Sequence, residues 1–291
     1  MYSDNDYRLY LEHHGIPGQK WGVKNGPPYP LDRETNKLVR MSRRNEPKRS
    51  HFTQEDQRNY LAAHPVESMY EMDQLPKGIR RKTARYAINH SDDNPRGVGR
   101  HYNCQNCAVA FDMVERGYDV IARPRSDGSN VGDIASFYKG GQLKVIGVDH
   151  YGKDYYDAFN NWGGNYNTFK EKRAFNKFND LHNKYANQAE GDVIREITSQ
   201  GSGSRGILVV GWHNNYDPKK RTTFFHAINY KNERGKVMFY DAQDDFEFNG
   251  HDRTFWISSD VDPREIFIMR TDNLEPSDYV GEAVISRRRS R

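Results

Sequence analysis

The two cysteines of the chain stand close together, in the segment Asn103-Cys104-Gln105-Asn106-Cys107. Asparagine favours the N-cap of a helix, so Cys104 is expected in the first helical turn. There the unpaired backbone N–H groups and the positive end of the helix dipole stabilise a thiolate. The same N–H groups can donate to an oxyanion that forms one bond from the sulfur. Cys104 is therefore the candidate nucleophile, whereas a helix that starts three residues later would give this role to Cys107.

A histidine and an aspartate further along the chain can complete this chemistry. His226 lies within a predicted strand, 222–230, and Asp241 ends the next predicted strand, 236–241. A hairpin of these strands, joined by a five-residue loop that ends in glycine, brings the two side chains near each other. A carboxylate that accepts from one imidazole nitrogen leaves the other nitrogen to face a thiol. The order Cys, His, Asp thus predicts a catalytic triad, although each residue alone also fits a structural role.

The Cys-x-x-Cys spacing has two other interpretations. A zinc site needs two more ligands at metal spacing, and the sequence has neither a second Cys-x-x-Cys nor a His-x-x-x-His. Buried cysteines also often act as small packing residues. We expect no metal and no cofactor, and two cysteines in 291 residues fit a reducing compartment.

The elements that must position these residues form one predicted α+β domain, residues 100–273. Apolar residues at helical spacing predict a helix that opens the domain at Cys104 and stops at Gly117. A largely antiparallel sheet follows it. The remaining predicted elements are a short strand at 118–122, helices at 168–188 and 192–198, and strands at 206–212, 222–230, 236–241 and 266–270.

Composition distinguishes this domain from the two ends of the chain. Only 35% of the residues are hydrophobic, which is low for a chain that is globular throughout. The sequence has no run of 18 apolar residues, so we expect no transmembrane helix. Its N-terminus lacks a basic region followed by an apolar stretch, so we expect no secretory signal. We expect no membrane partner, and solvated basic ends rather than nucleic-acid binding. The predicted segments are an extended arm 1–50 with a docking motif 13–23, a helical linker region 51–99 with helices near 54–63 and 77–89, the domain 100–273, and a basic tail 274–291.

The ordered motifs of the domain resemble the papain-fold toxin (Tox-PL) family of protein-glutamine deamidases. The resemblance rests on the Cys104 helix start, the strand 206–212, the segment His226-Ala227-Ile228-Asn229 and the segment Asp241-Ala242-Gln243. It implies a papain-like cysteine-hydrolase fold, in which an N-terminal nucleophile helix packs on an antiparallel sheet. It also implies a Cys104, His226 and Asp241 triad.

The resemblance further implies a protein substrate that offers a glutamine side chain. The Cys104 thiolate attacks the carboxamide carbon, with the Gln243 amide as a further donor to the oxyanion. Deamidation, peptide hydrolysis and transamidation share this covalent step, and the residues themselves do not separate them. Two positions depart from the family: Phe225 stands where a glycine is usual, and Ala242 stands where a proline is usual.

The arm has a resemblance of its own. The segment His14-Gly15-Ile16-Pro17-Gly18-Gln19-Lys20-Trp21-Gly22-Val23 is similar to a motif near the termini of tailed-phage structural and head-associated proteins. It implies a phage or prophage head-associated protein, found in the virion or the host cytoplasm, that contacts capsid or portal proteins through residues 13–23. The alternative function is a catalytically silent minor head protein.

Overall fold

A computed structural model describes residues 69–90, 103–124, 133–146, 153–162, 168–212, 224–252, 255–256 and 261–287. The predicted arm, its motif 13–23 and the predicted helix near 54–63 lie outside these residues, as does the Arg-rich end 288–291. The helices are α1 (Arg81–His90), α2 (Cys104–Glu115), α3 (Asp133–Ser136), α4 (Lys153–Trp162) and α5 (Phe169–Ser199). The strands are β1 (Val120–Ala122), β2 (Lys144–Val145), β3 (Arg205–Trp212), β4 (Phe224–Glu233), β5 (Lys236–Asp241), β6 (Phe246–Asn249), β7 (Val261–Arg270) and β8 (Val284–Ser286).

Six of the strands form an antiparallel sheet in the order β2-β7-β3-β4-β5-β6, and β1 pairs with β8 in a second, two-stranded sheet. Strand β3 is covered on both faces, since Ile207 and Val209 join one core cluster and Leu208 and Val210 join the other. This alternation follows from the two-residue period of a strand. The first cluster holds α1 and α2, and the second holds α4 and α5. The predicted α+β class, with a helix on an antiparallel sheet, is confirmed.

Helix α2 is buried along almost its whole length, so its polar side chains need partners inside the domain. Asp112 accepts from Arg116 at 2.8 Å and from Arg205 of β3 at 2.9 Å. Glu115 accepts from Arg85 of α1 at 2.8 Å and from Lys231 of β4. These ion pairs join the C-terminal half of α2 to both neighbours, which fixes the direction in which its first turn points.

Strand β4 is tied to α2 by a side chain as well. The Asn229 side-chain amide donates to the backbone oxygen of Ala108 at 3.0 Å, and Asn229 is 2% exposed. His226 lies three residues before Asn229 on the same strand. The helix that begins at Cys104 and the strand that carries His226 are therefore held together by a buried hydrogen bond.

Two predicted local features differ from the structure. The β4–β5 connection is a two-residue turn, with Arg234 at φ 56° and Gly235 at φ 88°, so the predicted five-residue loop is wrong. Both central residues are left-handed, as in the hairpin turn whose twist matches its strands. Helix α5 is one continuous helix, where two were predicted, and it starts with a capping box of Thr168 and Glu171.

The folded unit also extends beyond the predicted boundaries of 100 and 273. At one end, Met72, Ala84 and Ile88 are buried in the first core cluster. At the other end, β8 pairs with β1, and Arg123 donates to the backbone oxygen of Gly281 at 2.7 Å. The apolar residues of β8 are buried because they complete the sheet that starts at β1.

Candidate active site

Cys104 is the first residue of α2, as the sequence predicted. Asn103 holds the N-cap position with φ −104° and ψ 26°, but its side chain makes no capping hydrogen bond, so the expected capping interaction is wrong. Its backbone oxygen accepts from the Cys107 N–H at 2.9 Å, which closes the first turn. The backbone N–H groups of the first turn, before Cys107, lack a capping side chain. They are therefore suited to bind an anion.

The structure brings His226 and Asp241 together. The His226 Nε2 and Asp241 Oδ2 atoms are 2.6 Å apart, and the other carboxylate oxygen of Asp241 accepts from the Gln243 N–H at 3.0 Å. Their positions follow from the strand pairing, in which Asn229 lies opposite Tyr240 and sets His226 diagonally across from Asp241. With Nε2 bonded to the carboxylate, Nδ1 is the nitrogen left for the thiol.

Neighbouring charges control the protonation of His226. Its complete burial disfavours the charged form, but the Asp241 carboxylate and Cys104 outweigh that and raise the pKa of His226 well above its usual 6.5. Cys104 acts on the pKa of the imidazole in the same direction as Asp241. The arrangement therefore favours an imidazolium at His226 beside the Cys104 side chain, the two residue types that a cysteine hydrolase pairs.

A second carboxyl group, which the sequence analysis missed, lies beside this pair. Burial and the charge of Asp241 raise the pKa of Asp244 to about 7, and His226 acts in the opposite direction. Like charges that share a site disfavour ionisation of both. In the sequence, Asp244 is marked only by its position three residues after Asp241. That spacing does not show that the Asp244 carboxyl is buried.

The candidate triad is enclosed. Cys104 and His226 are 0% exposed and Asp241 is 1% exposed, so a substrate can reach the thiol only when surrounding residues move apart. Cys107 lies one turn further along α2, inside the first core cluster. Phe225 is also in this cluster, with its ring 6.0 Å from that of Phe267. Phe225, which stands where the similar family usually has a glycine, therefore fills the core.

Side-chain amides next to the triad form a buried network that the sequence analysis did not predict. Asn89, near the end of α1, donates to the backbone oxygen of Gln243 at 3.1 Å. Asn103 donates to the side-chain oxygen of Asn89 and to the backbone oxygen of Arg123, both at 3.1 Å. The segments that carry the cysteine and the aspartate are thus connected through a helix that precedes both.

Two acceptor atoms at this end of α2 have no donor. The side-chain oxygens of Asn103 and Gln105 are buried and receive no hydrogen bond within the described parts of the chain. A buried polar atom without a partner costs about 1–3 kcal/mol of stability. Atoms of this kind are rare in folded proteins, and a catalytic role is one explanation for them.

The residues that the structure describes contain neither a candidate metal site nor a membrane-spanning helix. There, no group of three or more His, Cys, Asp or Glu side chains is arranged to hold a metal ion. In the same residues, no helix combines the length and apolar character that a membrane crossing requires.

Comparison with known proteins agrees with the fold and with the candidate chemistry. Residues 102–245 match the family described as papain fold toxin 1, glutamine deamidase. No curated protein and no solved structure matches the chain. The matched residues run from the start of α2 to just beyond β5 and include Cys104, His226 and Asp241. The described domain is therefore a papain-fold hydrolase, similar over residues 102–245 to the glutamine deamidases of that family.

Proposed function

We propose that this enzyme deamidates glutamine side chains of a host protein, with Cys104 as nucleophile, His226 as general acid and base, and Asp241 as the residue that orients His226. The observation that carries the proposal is the 2.6 Å contact between His226 Nε2 and Asp241, which leaves Nδ1 for the thiol at the start of α2. The raised pKa of His226, to which Cys104 contributes, supports the same assignment.

The first half of the reaction forms a thioester. The Cys104 thiolate attacks the carboxamide carbon, and the C–N bond breaks as His226 transfers its Nδ1 proton to the departing nitrogen, which leaves as ammonia. The backbone N–H groups at the start of α2 stabilise the oxyanion of the tetrahedral intermediate.

The second half hydrolyses the thioester. The now neutral His226 takes a proton from water, and the resulting hydroxide attacks the thioester carbon. The C–S bond breaks, glutamate is released, and the thiolate is restored beside the imidazolium. Asp241 keeps the imidazole oriented in both halves.

The experiment that tests the proposal compares the full chain with the Cys104→Ala variant on proteins from a bacterial lysate, using peptide mass spectrometry. We expect conversion of glutamine to glutamate only with the wild-type enzyme. The matched control is Cys107→Ala, which removes a thiol one turn away in the core and retains the conversion. Backbone cleavage without any such conversion would show a protease and refute the proposal.

We propose further that residues 13–23 attach the enzyme to capsid or portal proteins of a phage particle, which would place it in the virion and then in the host cytoplasm. The support is the motif around Trp21 in the sequence. We expect Trp21→Ala to abolish incorporation into purified particles, and Cys104→Ala to be incorporated normally. Incorporation that survives loss of residues 1–30 would contradict this proposal.

A further inference from the structure

The orientation of the Asn103 side chain is determined by what its nitrogen contacts. The amide nitrogen has two hydrogen atoms, and one goes to the side-chain oxygen of Asn89 while the other goes to the backbone oxygen of Arg123. A backbone oxygen can only accept, so the nitrogen of Asn103 must face Arg123. The side-chain oxygen of Asn103 therefore points away from both partners.

The partner residue is fixed in the same manner. Asn89 donates through its side-chain nitrogen to the backbone oxygen of Gln243 at 3.1 Å, which turns its own oxygen towards Asn103. A backbone oxygen thus fixes each orientation: that of Arg123 for Asn103 and that of Gln243 for Asn89. Asn89 is 8% exposed and Asn103 is 1% exposed, so water has little access to compete for these contacts.

What remains is a fixed, buried acceptor next to the nucleophile. The Asn103 oxygen has no donor within the described residues, and it caps no helix N–H group. It belongs to the residue that directly precedes Cys104, at the helix end where the oxyanion would form. The oxygen of Gln105, which follows Cys104 and is 4% exposed, likewise has no donor in the described structure.

The two kinds of hydrogen-bonding group at this end of α2 complement the two ends of a carboxamide. Backbone N–H groups are donors and match its oxygen, whereas the Asn103 oxygen is an acceptor and matches its nitrogen. A primary carboxamide carries two N–H hydrogens, a peptide bond carries one, and an ester carries none. An acceptor in a dry site discriminates against the ester, because a substrate without an N–H leaves it unpaired.

From this geometry we infer that Asn103 is a specificity-determining residue, whose side-chain oxygen accepts an N–H of the substrate's primary carboxamide and of the ammonia that leaves. Asn89 acts as a positioning residue for Asn103. The inference rests on the proposed deamidation and assigns its preference for a carboxamide over the corresponding ester. It also gives α1, which precedes the matched residues 102–245, a role in the site.

The test uses two probes that differ in the leaving group: N-blocked glutaminylglycine, followed by ammonia release, and the γ-methyl ester of the corresponding glutamyl peptide, followed by methanol release. We expect Asn103→Ala to lower kcat/KM for the amide about tenfold, the effect of one lost neutral hydrogen bond, while the ester value stays unchanged. We expect Asn89→Ala to reduce the amide-to-ester ratio by a smaller factor. If Asn103→Ala fails to fold, Asn89→Ala provides the test.

The matched control is Asn106→Ala. The Asn106 side chain also donates to the backbone oxygen of Arg123, at 3.0 Å, and to that of Pro124, at 3.2 Å, but its oxygen is not among the buried acceptors without a donor. We expect the Asn106→Ala amide-to-ester ratio to equal the wild-type ratio. An equal fall of the amide and ester rates in Asn103→Ala would overturn the inference, because Asn103 would then only shape the site.

Alkylation of Cys104 with iodoacetamide separates failure of the inference from failure of the proposed function. If the wild-type thiol labels rapidly but neither probe is hydrolysed and no protein glutamine is converted, the proposed deamidation is wrong and the inference falls with it. If the wild-type enzyme releases ammonia and the Asn103→Ala ratio does not change, only the inference is wrong.

Discussion

At the scale of single residues, the Asp241 carboxylate favours the charged form of the candidate catalytic histidine, His226. Asp241 is the nearest, at 2.6 Å, and it raises the pKa of His226 against the effect of burial. In the proposed deamidation, protonated His226 expels ammonia, so we expect activity to persist as pH rises until His226 loses its proton. The enzyme should therefore work well above the ordinary pKa of histidine.

Replacing Asp241 tests this dependence. In Asp241→Asn the charge that raises the pKa of His226 is lost, so the alkaline limb of the pH–kcat/KM profile should move to lower pH. The rate of ammonia release should also fall, on the order of 10²–10⁴-fold, because the imidazole loses its orienting acceptor. An alkaline limb that stays in place would mean that another group controls it.

The carboxyl of Asp244 should make stability depend on pH in the opposite direction from an ordinary surface acid. Its pKa is raised from 3.8 to about 7, so the folded state keeps a proton that the unfolded state loses. The stability contribution therefore falls as pH rises from about 4 to about 7, by up to about 3 kcal/mol. We expect Asp244→Asn to lose less stability between pH 5 and pH 8 than wild type in urea titrations, and an equal loss would contradict the assignment.

At the scale of elements, the orientation of α2 depends on polar anchors at its far end. Glu115 links α2 to Arg85 of α1 and to Lys231 of β4. Its own burial raises its pKa, but these two cations outweigh burial and lower it. The ion pairs therefore stabilise the fold above the ordinary pKa of glutamate and lose that effect as pH falls through the lowered value.

Removing the Glu115 charge should consequently be costly near neutral pH. We expect Glu115→Gln to lower the free energy of unfolding by about 2–3 kcal/mol at pH 7, since two half-buried cations lose their partner. The difference from wild type should shrink below pH 4.5. A control is Glu275→Gln, whose 3.3 Å pair with Lys139 is exposed and should contribute less than about 0.5 kcal/mol.

The central strand β3 leaves no space for a side chain at Gly206. A Cβ there would lie 2.1 Å from the backbone oxygen of Met269 and 2.5 Å from the hydroxyl of Tyr230. We expect Gly206→Ala to destabilise the domain by about 2–3 kcal/mol in urea unfolding. Gly191→Ala on α5, where a Cβ meets no atom within 4 Å, should instead stabilise it by about 0.5–1 kcal/mol.

The sequence predicted these elements well where the pattern was local. The helix start at Cys104, the strand 236–241 and the side-by-side strands of His226 and Asp241 follow from periodicity and turn residues. The side-chain amides were not predicted, because Asn89 reaches Asn103 and Gln243 only through tertiary packing. The same holds for Asp244, since its pKa depends on burial that no spacing rule reports, and for β8, whose partner β1 is far away in the sequence.

At the scale of the whole molecule, the residues that match the family are not the whole folded unit. Residues 102–245 lack β7, which lies between β2 and β3 in the sheet, and they lack β8 and α1. Strand β3 would lose one of its two neighbours, and the buried faces of β1 and α2 would be exposed.

A fragment of residues 102–245 should therefore fail to fold alone. We expect it to lack a cooperative unfolding transition and near-ultraviolet circular dichroism, whereas a fragment of residues 69–287 should show both. Cooperative unfolding of the shorter fragment would mean that β7 and β8 are dispensable.

The late position of β7 and β8 in the chain has a consequence for protein synthesis. Strand β3 can pair fully with β7 only after Arg270 has been synthesised. Strand β1 can pair fully with β8 only after Ser286 has been synthesised. Strand pairing across such long sequence separations is slow and takes place after local structure has formed. A nascent chain on the ribosome thus carries the Cys104 thiol without the complete sheet until Arg270 has been synthesised. We therefore expect the Cys104 thiol to gain a fixed position next to His226 only after β7 and β8 have been synthesised.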